Sequence, residues 1–387
     1  MTDPGSDAGR PFGAGYARLA RCLGANDREG ALAALAAVAG DPALAATLRR
    51  HHLATLLAAT LGDDALRARL PAAAHAALRV WLDRQRPSAA EHLRALAEAR
   101  AALAEHGVDC MVLKGLYFAD RLYGGLERRG QYDVDLLVRR RDFRRASRAL
   151  RALGYAARWR DLHSVTWRRA TTHLDLHACF RNAPPYRLDE ARTWAERVPW
   201  AIGEVAFPTP SDEDTLVMLA LALFQDVGLG SAQLKQLLDV YLLAVAVDAA
   251  FDWERFMARR APERTLAIVV NVLDLACRVL DEEGRLPRLA AALAPHRARC
   301  VAGTRVDALA LVLGDAGAAR NRAWFLALYP GSIAWYWLWL LPRKLPAYLS
   351  GRAPGRTRSA LRPSLATLRA VLQARRPAAI VERPPRP

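Results

Sequence analysis

Two aspartates lead into a wholly apolar run in Tyr132-Asp133-Val134-Asp135-Leu136-Leu137-Val138. The β-branched and aliphatic residues read as a buried strand, and residues i and i+2 of a strand point to the same side. The two carboxylates therefore converge, about 5–6 Å apart for a rise of roughly 3.3 Å per residue. Like charges that close repel by about 3 kcal/mol at an effective dielectric near 20. An otherwise hydrophobic strand does not present such a pair without compensation. A divalent cation is the natural compensation, and hard oxygen ligands select Mg²⁺ or Mn²⁺. Any fold open to this chain must bury one face of this strand and leave the other facing an ion.

The flanking residues add to that constraint. Lysine occurs only three times among 56 basic residues, and one of the three is Lys114, next to Gly115. An ammonium is a compact point charge suited to a phosphate, whereas guanidinium is a wide planar fork. Gly115 lacks a side chain and lets phosphates approach the backbone. Downstream, Thr172 to Phe180 alternates His173, Asp175 and His177 against Leu174, Leu176 and Ala178, the pattern of a half-buried strand. Asp175 supplies a third carboxylate if this strand pairs beside the first. Two carboxylates sharing a metal, with a third near the attacking hydroxyl, is the layout that phosphoryl or nucleotidyl transfer needs. Lys114 and Arg129 then neutralise phosphate charge.

Around this core the chain divides by texture. Residues 1–15 are rich in Gly, Pro and Asp and are expected to fray. Residues 16–105 are Ala-, Leu- and Arg-rich and read as several helices, with Pro71 and Pro87 as boundaries and Ser88 as a cap. Residues 106–210 form the mixed α+β core: strands at Val108–Leu113, Tyr132–Val138, Ser164–Trp167 and Thr172–Phe180, and helices at Leu116–Tyr123 and Arg141–Leu153. Ser211 begins a second helical region, 211–350. Within it Trp324–Leu341 is apolar and Trp-rich but interrupted by Pro330-Gly331. It reads as a buried or partner-facing hairpin rather than a membrane span, with peripheral membrane contact as the lesser alternative. The Arg/Pro-rich tail, 351–387, reads as largely disordered apart from a helix at Ser364–Arg375. The net charge of +17 favours anionic partners without choosing among them. Five scattered cysteines without metal spacing, and no signal pattern, fit a reduced, cytoplasmic compartment.

The ordered set Leu113-Lys114-Gly115, Tyr123, Arg129, Asp133-Val134-Asp135-Leu136-Leu137-Val138, Gly154-Tyr155 and Leu174-Asp175-Leu176-His177 resembles the uncharacterised nucleotidyltransferase family of the DNA polymerase β-like superfamily. The likeness extends weakly to Leu234-Lys235-Gln236-Leu237-Leu238-Asp239. It implies a minimal mixed sheet flanked by helices, Asp133 and Asp135 as metal ligands, Asp175 as the third carboxylate, and a nucleoside triphosphate as donor. One departure stands out: the wider superfamily holds the terminal phosphates with a Gly-Ser or Gly-Gly pair, and here the stretch reads Lys114-Gly115-Leu116.

Other signals are weaker. His177 shares the face of Asp175 and reads as a phosphate, metal or acid–base group or as a structural histidine; His173 and His163 are lesser candidates. Arg141, Arg144, Arg145, Arg148 and Arg151 form a basic stripe that reads as the solvated face of an amphipathic helix, with guidance of an anionic acceptor such as RNA as the alternative, so nucleic acid stays open as a partner but unsupported. Lys235 either pairs with Asp239 four residues on or faces the nucleotide in the cleft. The acceptor (protein, RNA, sugar or small molecule) is not encoded in any motif. Two rival readings are a DxD-type glycosyltransferase and a nucleotide-binding partner protein without turnover. The helical character of the stretch before the motif argues against the first.

Overall fold

A computed structural model describes residues 12–84, 89–160, 164–179, 186–300, 308–313 and, with gaps, 321–330. Seven helices precede the sheet: α1 (Gly13–Gly24), α2 (Arg28–Val38), α3 (Leu44–Arg50), α4 (Ala54–Leu61), α5 (Asp63–Arg69), α6 (Ala72–Arg84) and α7 (Ala89–Glu105). Helix α1 starts inside the stretch expected to fray. Asp27 caps α2 by accepting from Gly30 N at 2.9 Å, satisfying one of the amides that a helix start leaves orphaned. Pro71 separates α5 from α6, as its missing donor requires. Pro87, Ser88, His163 and everything beyond Pro330 lie outside the described residues.

The core then runs β1 (Cys110–Val112), α8 (Leu116–Tyr123), β2 (Val134–Val138), a 3-10 turn at Arg140–Asp142, α9 (Phe143–Ala152), β3 (Ala156–Arg160), β4 (Ser164–Arg169) and β5 (Thr172–His177). The strand order is β1-β2-β5-β4-β3. The β2–β5 pair is parallel, and the other three pairs are antiparallel. Because side chains alternate, Val134, Leu136 and Val138 of β2 share one face with Leu174 and Leu176 of β5 and Val165 and Trp167 of β4. All are buried. Helix α7 packs across β2 and β5 on this face, and α9 packs against α7. Each such aliphatic side chain contributes about 1.5–3 kcal/mol by leaving water. The polar residues of the same strands are thereby committed to the opposite face.

A helix α10 (Glu190–Ala195) and a hairpin, β6 (Val198–Ile202) and β7 (Val205–Thr209), follow. Neither is apparent from the sequence, and the hairpin packs beside β1 and α8. Helices α11 (Asp212–Leu229), α12 (Leu234–Val247), α13 (Trp253–Arg260), α14 (Leu266–Leu280), α15 (Pro287–Cys300) and α16 (Ala308–Leu313) complete the described chain. Ser211 caps α11 through Asp214 N, as expected. Helix α1 packs on α12, α14 and α16, and α8 packs on α12, so one apolar core joins both helical regions to the sheet. The start of the Trp-rich stretch belongs to it: Phe224 stacks on Phe325 at 4.6 Å, and a Cβ on Gly228 would meet Phe325 at 2.5 Å. The rest of that hairpin lies outside the described residues. Among the described residues no helix is long and apolar enough to cross a membrane.

Candidate active site

Burying the apolar face of β2 and β5 fixes what the other face presents. In the parallel register Asp135 stands level with Asp175, and Leu137 with His177. Asp133 immediately precedes β2 and is half-buried, whereas Asp135 is only 1% exposed. His177 Nε2 lies 3.0 Å from Asp135 Oδ1 and 3.9 Å from Asp175 Oδ2. From the other neighbouring strand, Thr166 sits opposite Asp175 and its hydroxyl donates to Asp175 Oδ1. Lys114, just past β1, brings Nζ to 3.3 Å from Asp135 Oδ1.

Asp135 Oδ2, by contrast, is buried with no hydrogen-bond partner in the protein. Leaving a buried acceptor unmatched costs about 1–3 kcal/mol, and more for a charged group, so this atom calls for a cation. One ligand atom each from Asp135, Asp175 and His177 lie within 4.8 Å of one another. The donor set therefore suits a single divalent ion, and the expected ligand Asp133 is not among these clustered atoms.

The electrostatics agree. Burial works against the charge of Asp135, but the Lys114 ammonium and the His177 hydrogen bond outweigh it and hold the carboxyl well below the usual range. Asp133 moves the opposite way: burial, then the charge of Asp135, push it up, with Lys114 only partly offsetting them. The Asp135 carboxylate in turn raises the Lys114 ammonium. Two neighbouring carboxyls driven apart in this way mark an uncompensated acidic site.

Gly115 adopts φ +69° and starts α8 without a side-chain cap. A Cβ there would sit 3.2 Å from Gln131 Oε1, and the positive φ is a conformation that favours glycine. Lys235, in the first turn of α12, donates from Nζ to the Gly130 carbonyl at 3.2 Å and lies 5.8 Å from the Tyr132 ring centroid. Burial, then the Arg129 charge, lower its ammonium to about 7.

One expectation based on local spacing, the Lys235–Asp239 pair, is replaced by a long-range contact. Asp239 does not serve Lys235: Arg129 grips it with Nε at 2.9 Å and Nη2 at 2.7 Å, and Tyr123 donates to it at 2.7 Å. Arg129 is itself 6% exposed and packs on Phe118, so its fork ties the loop before β2 to α12. His173 is half-buried and paired across the strands with Arg168; it is not among the clustered ligand atoms. The arginine stripe of α9 is exposed, with Arg145 and Arg141 reaching Asp142, on the side of the sheet away from the carboxylates.

Sequence reasoning missed several groups. Thr166 was discoverable from strand alternation once β4 was placed beside β5. His51 was not. It receives Leu234 N on Nδ1 at 3.3 Å and Lys235 N on its carbonyl at 3.3 Å, seating the start of α12, yet it sits in an Ala/Leu-rich helical stretch without any motif. Tyr132, against which His52 makes an edge contact at 4.9 Å, was passed over as a strand residue.

Over residues 39–281 of the 387, the sequence matches the family described as uncharacterised nucleotidyltransferase. That span runs from α3 through α14 and includes every residue of the cluster. Neither a curated protein nor a solved structure matches the chain.

Proposed function

The chain belongs to the uncharacterised nucleotidyltransferase family, and from that premise we propose that it moves a nucleoside monophosphate from an NTP to a hydroxyl of its acceptor, with Mg²⁺ or Mn²⁺ held by Asp133, Asp135 and Asp175. The observation that carries this reading is the level register of Asp135 with Asp175, combined with the unmatched Oδ2 of Asp135. When bound, the ion supplies charge neutralisation on the triphosphate and orientation for in-line displacement.

The protein's own groups then divide the work. Asp175, held through Oδ1 by Thr166, takes the proton of the acceptor hydroxyl on Oδ2. The acceptor oxygen bonds to the α-phosphorus as the bond to the bridging oxygen breaks, and pyrophosphate leaves. His177 keeps Asp135 oriented through Oδ1, as hydrogen bonds to a ligating carboxylate do. Lys114, whose Nζ rests 3.3 Å from Asp135 Oδ1, would offer its ammonium to the phosphates if an ion were held by that carboxylate. Gly115 leaves room for those phosphates, and Lys235 approaches the nucleotide from α12. Arg129 acts through Asp239, keeping α12, and with it Lys235, at the edge of the site.

Magnesium-dependent pyrophosphate release, with transfer of α-³²P label to an acceptor in a cell extract, tests the reading. Turnover that survives intact in Asp133→Ala/Asp135→Ala would refute it. NTP binding without any pyrophosphate release favours the partner protein without turnover.

A further inference from the structure

Gln131 lies between Arg129 and Asp133 in the loop entering β2, and both polar atoms of its side chain are enclosed without a hydrogen-bond partner in the protein. A primary amide offers two donor hydrogens and an acceptor oxygen. Enclosing all of them unmatched is costly, and such groups in a folded protein call for an explanation. The amide sits against Gly115, with Oε1 3.2 Å from the position a Cβ would take there. Gly115 in turn precedes the first turn of α8, whose leading amides have no intrahelical acceptor and receive no side-chain cap. The residue after Gly115 is Leu116, whose side chain brings no donor. Lys114 stands on the other side of Gly115 and reaches Asp135 at 3.3 Å.

Resting on the nucleotidyltransferase reading above, we propose that the Gln131 carboxamide is a specificity-determining contact for the terminal phosphates of the donor. With the carboxamide turned over from the orientation that sets Oε1 against Gly115, its NH₂ group donates to a non-bridging oxygen beside the α8 amides. The amide provides from the β2 side a donor that the chain following Gly115 lacks. The contact is made only by a polyphosphate long enough to reach α8 while its α-phosphorus stays near Asp175, so it separates a triphosphate from a monophosphate.

The test uses the full chain, with titration calorimetry of magnesium tripolyphosphate and of the four magnesium NTPs, and with nucleoside monophosphates as controls. Gln131→Met keeps the shape and removes the unmatched amide, so it melts no lower than wild type. It loses roughly tenfold in affinity for tripolyphosphate and for the preferred NTP, and monophosphate binding does not change. Gln131→Glu places a carboxylate against the phosphates and loses more. A Gln131→Met protein that melts lower identifies a structural amide and overturns the inference. So do Met and Glu variants that bind tripolyphosphate as wild type does, while wild-type binding leaves the parent reading standing. If the wild type binds no triphosphate at all, the nucleotidyltransferase reading falls and this inference falls with it.

Discussion

Around Glu213, three guanidinium groups meet three carboxylates and, at the exposed edge, a fourth from Glu196, whereas Asp135, with two further carboxylates beside it, is in direct contact with one ammonium and one imidazole. In the first cluster Arg192 reaches Glu213 at 2.8 Å, Asp214 at 3.0 Å and Glu263 at 3.2 Å. Arg259 takes the second oxygen of Glu213 at 2.8 Å. Arg260, completely buried, binds Glu213 at 2.7 Å and Glu263 at 3.2 Å. This cluster clamps α10, α11 and α13 together, with each of Glu213, Asp214 and Glu263 facing at least one guanidinium. In the second, Asp135 keeps a buried oxygen unmatched, and Asp133 is pressed toward its neutral form. The lesson is in the balance: charge satisfied within the chain builds scaffold, while a surplus of one sign held in place by the fold is a demand for a ligand.

The contrast breaks most sharply at Asp135. Asp135→Asn is expected to lower pyrophosphate release by at least about 10³-fold, roughly 4 kcal/mol of barrier, while the metal-free protein melts no lower than wild type. A rate within tenfold of wild type would mean that the open cluster is not the reaction centre. Arg260→Met should do the reverse. Removing one cation leaves Glu213 and Glu263 short of charge in a buried setting, which costs about 3–5 kcal/mol of unfolding free energy. Urea denaturation measures it, and NTP affinity in the native baseline should stay as in wild type. A loss under about 1 kcal/mol would show that the clamp does not depend on Arg260. Arg129→Lys sits between the two: it keeps the charge but not the fork on Asp239. It is expected to cost about 2 kcal/mol of stability and to raise KM for the NTP more than it lowers kcat, because α12 loses its tether beside Lys235.

How far each cluster was legible follows from the range of its contacts. Asp133 and Asp135 announced themselves because an alternating strand imposes a face on every residue within it, and the alternation of Leu174, Asp175, Leu176 and His177 did the same for β5. That the two strands are neighbours in register was not written locally. It depends on β3 and β4 closing the far side of the sheet, and Ala-Ala-Arg-Trp-Arg in β3 carries no apolar alternation to reveal an edge strand. The β6–β7 hairpin hid for a similar reason: Pro199 and Pro208 demote both runs by the usual rule, and they are tolerated because this sheet has only two strands. Lys235 and Asp239 looked like an intrahelical pair because only local spacing was visible. Arg129, 110 residues away from Asp239 in sequence, has the stronger claim, since a buried fork needs both carboxylate oxygens. The Glu213 cluster was opaque for the same reason, its members coming from three helices and the turn after α13.

The smallest expected effect concerns Asp133, and it tests the surplus itself. Burial, followed by the charge of Asp135, raises its carboxyl to about 6, above the value near 3.9 of an unfolded chain. The folded state therefore holds this proton more tightly than the unfolded state. The resulting stability is fully present below about pH 4 and is lost as the pH rises through about 6. Asp133→Asn carries no such loss. In EDTA at pH 7.5 it should melt above wild type by about 1 °C, the shift that roughly 1 kcal/mol produces in a chain of this size, with the gap closing toward pH 4. Saturating Mg²⁺ should reverse the order, because an ion that binds the native carboxylates stabilises wild type by mass action and gains less from the amide. Parallel melting curves from pH 4 to 8, with and without the ion, would mean that Asp133 is compensated inside the protein just as Glu213 is, and the distinction between the two clusters would then rest on Asp135 alone.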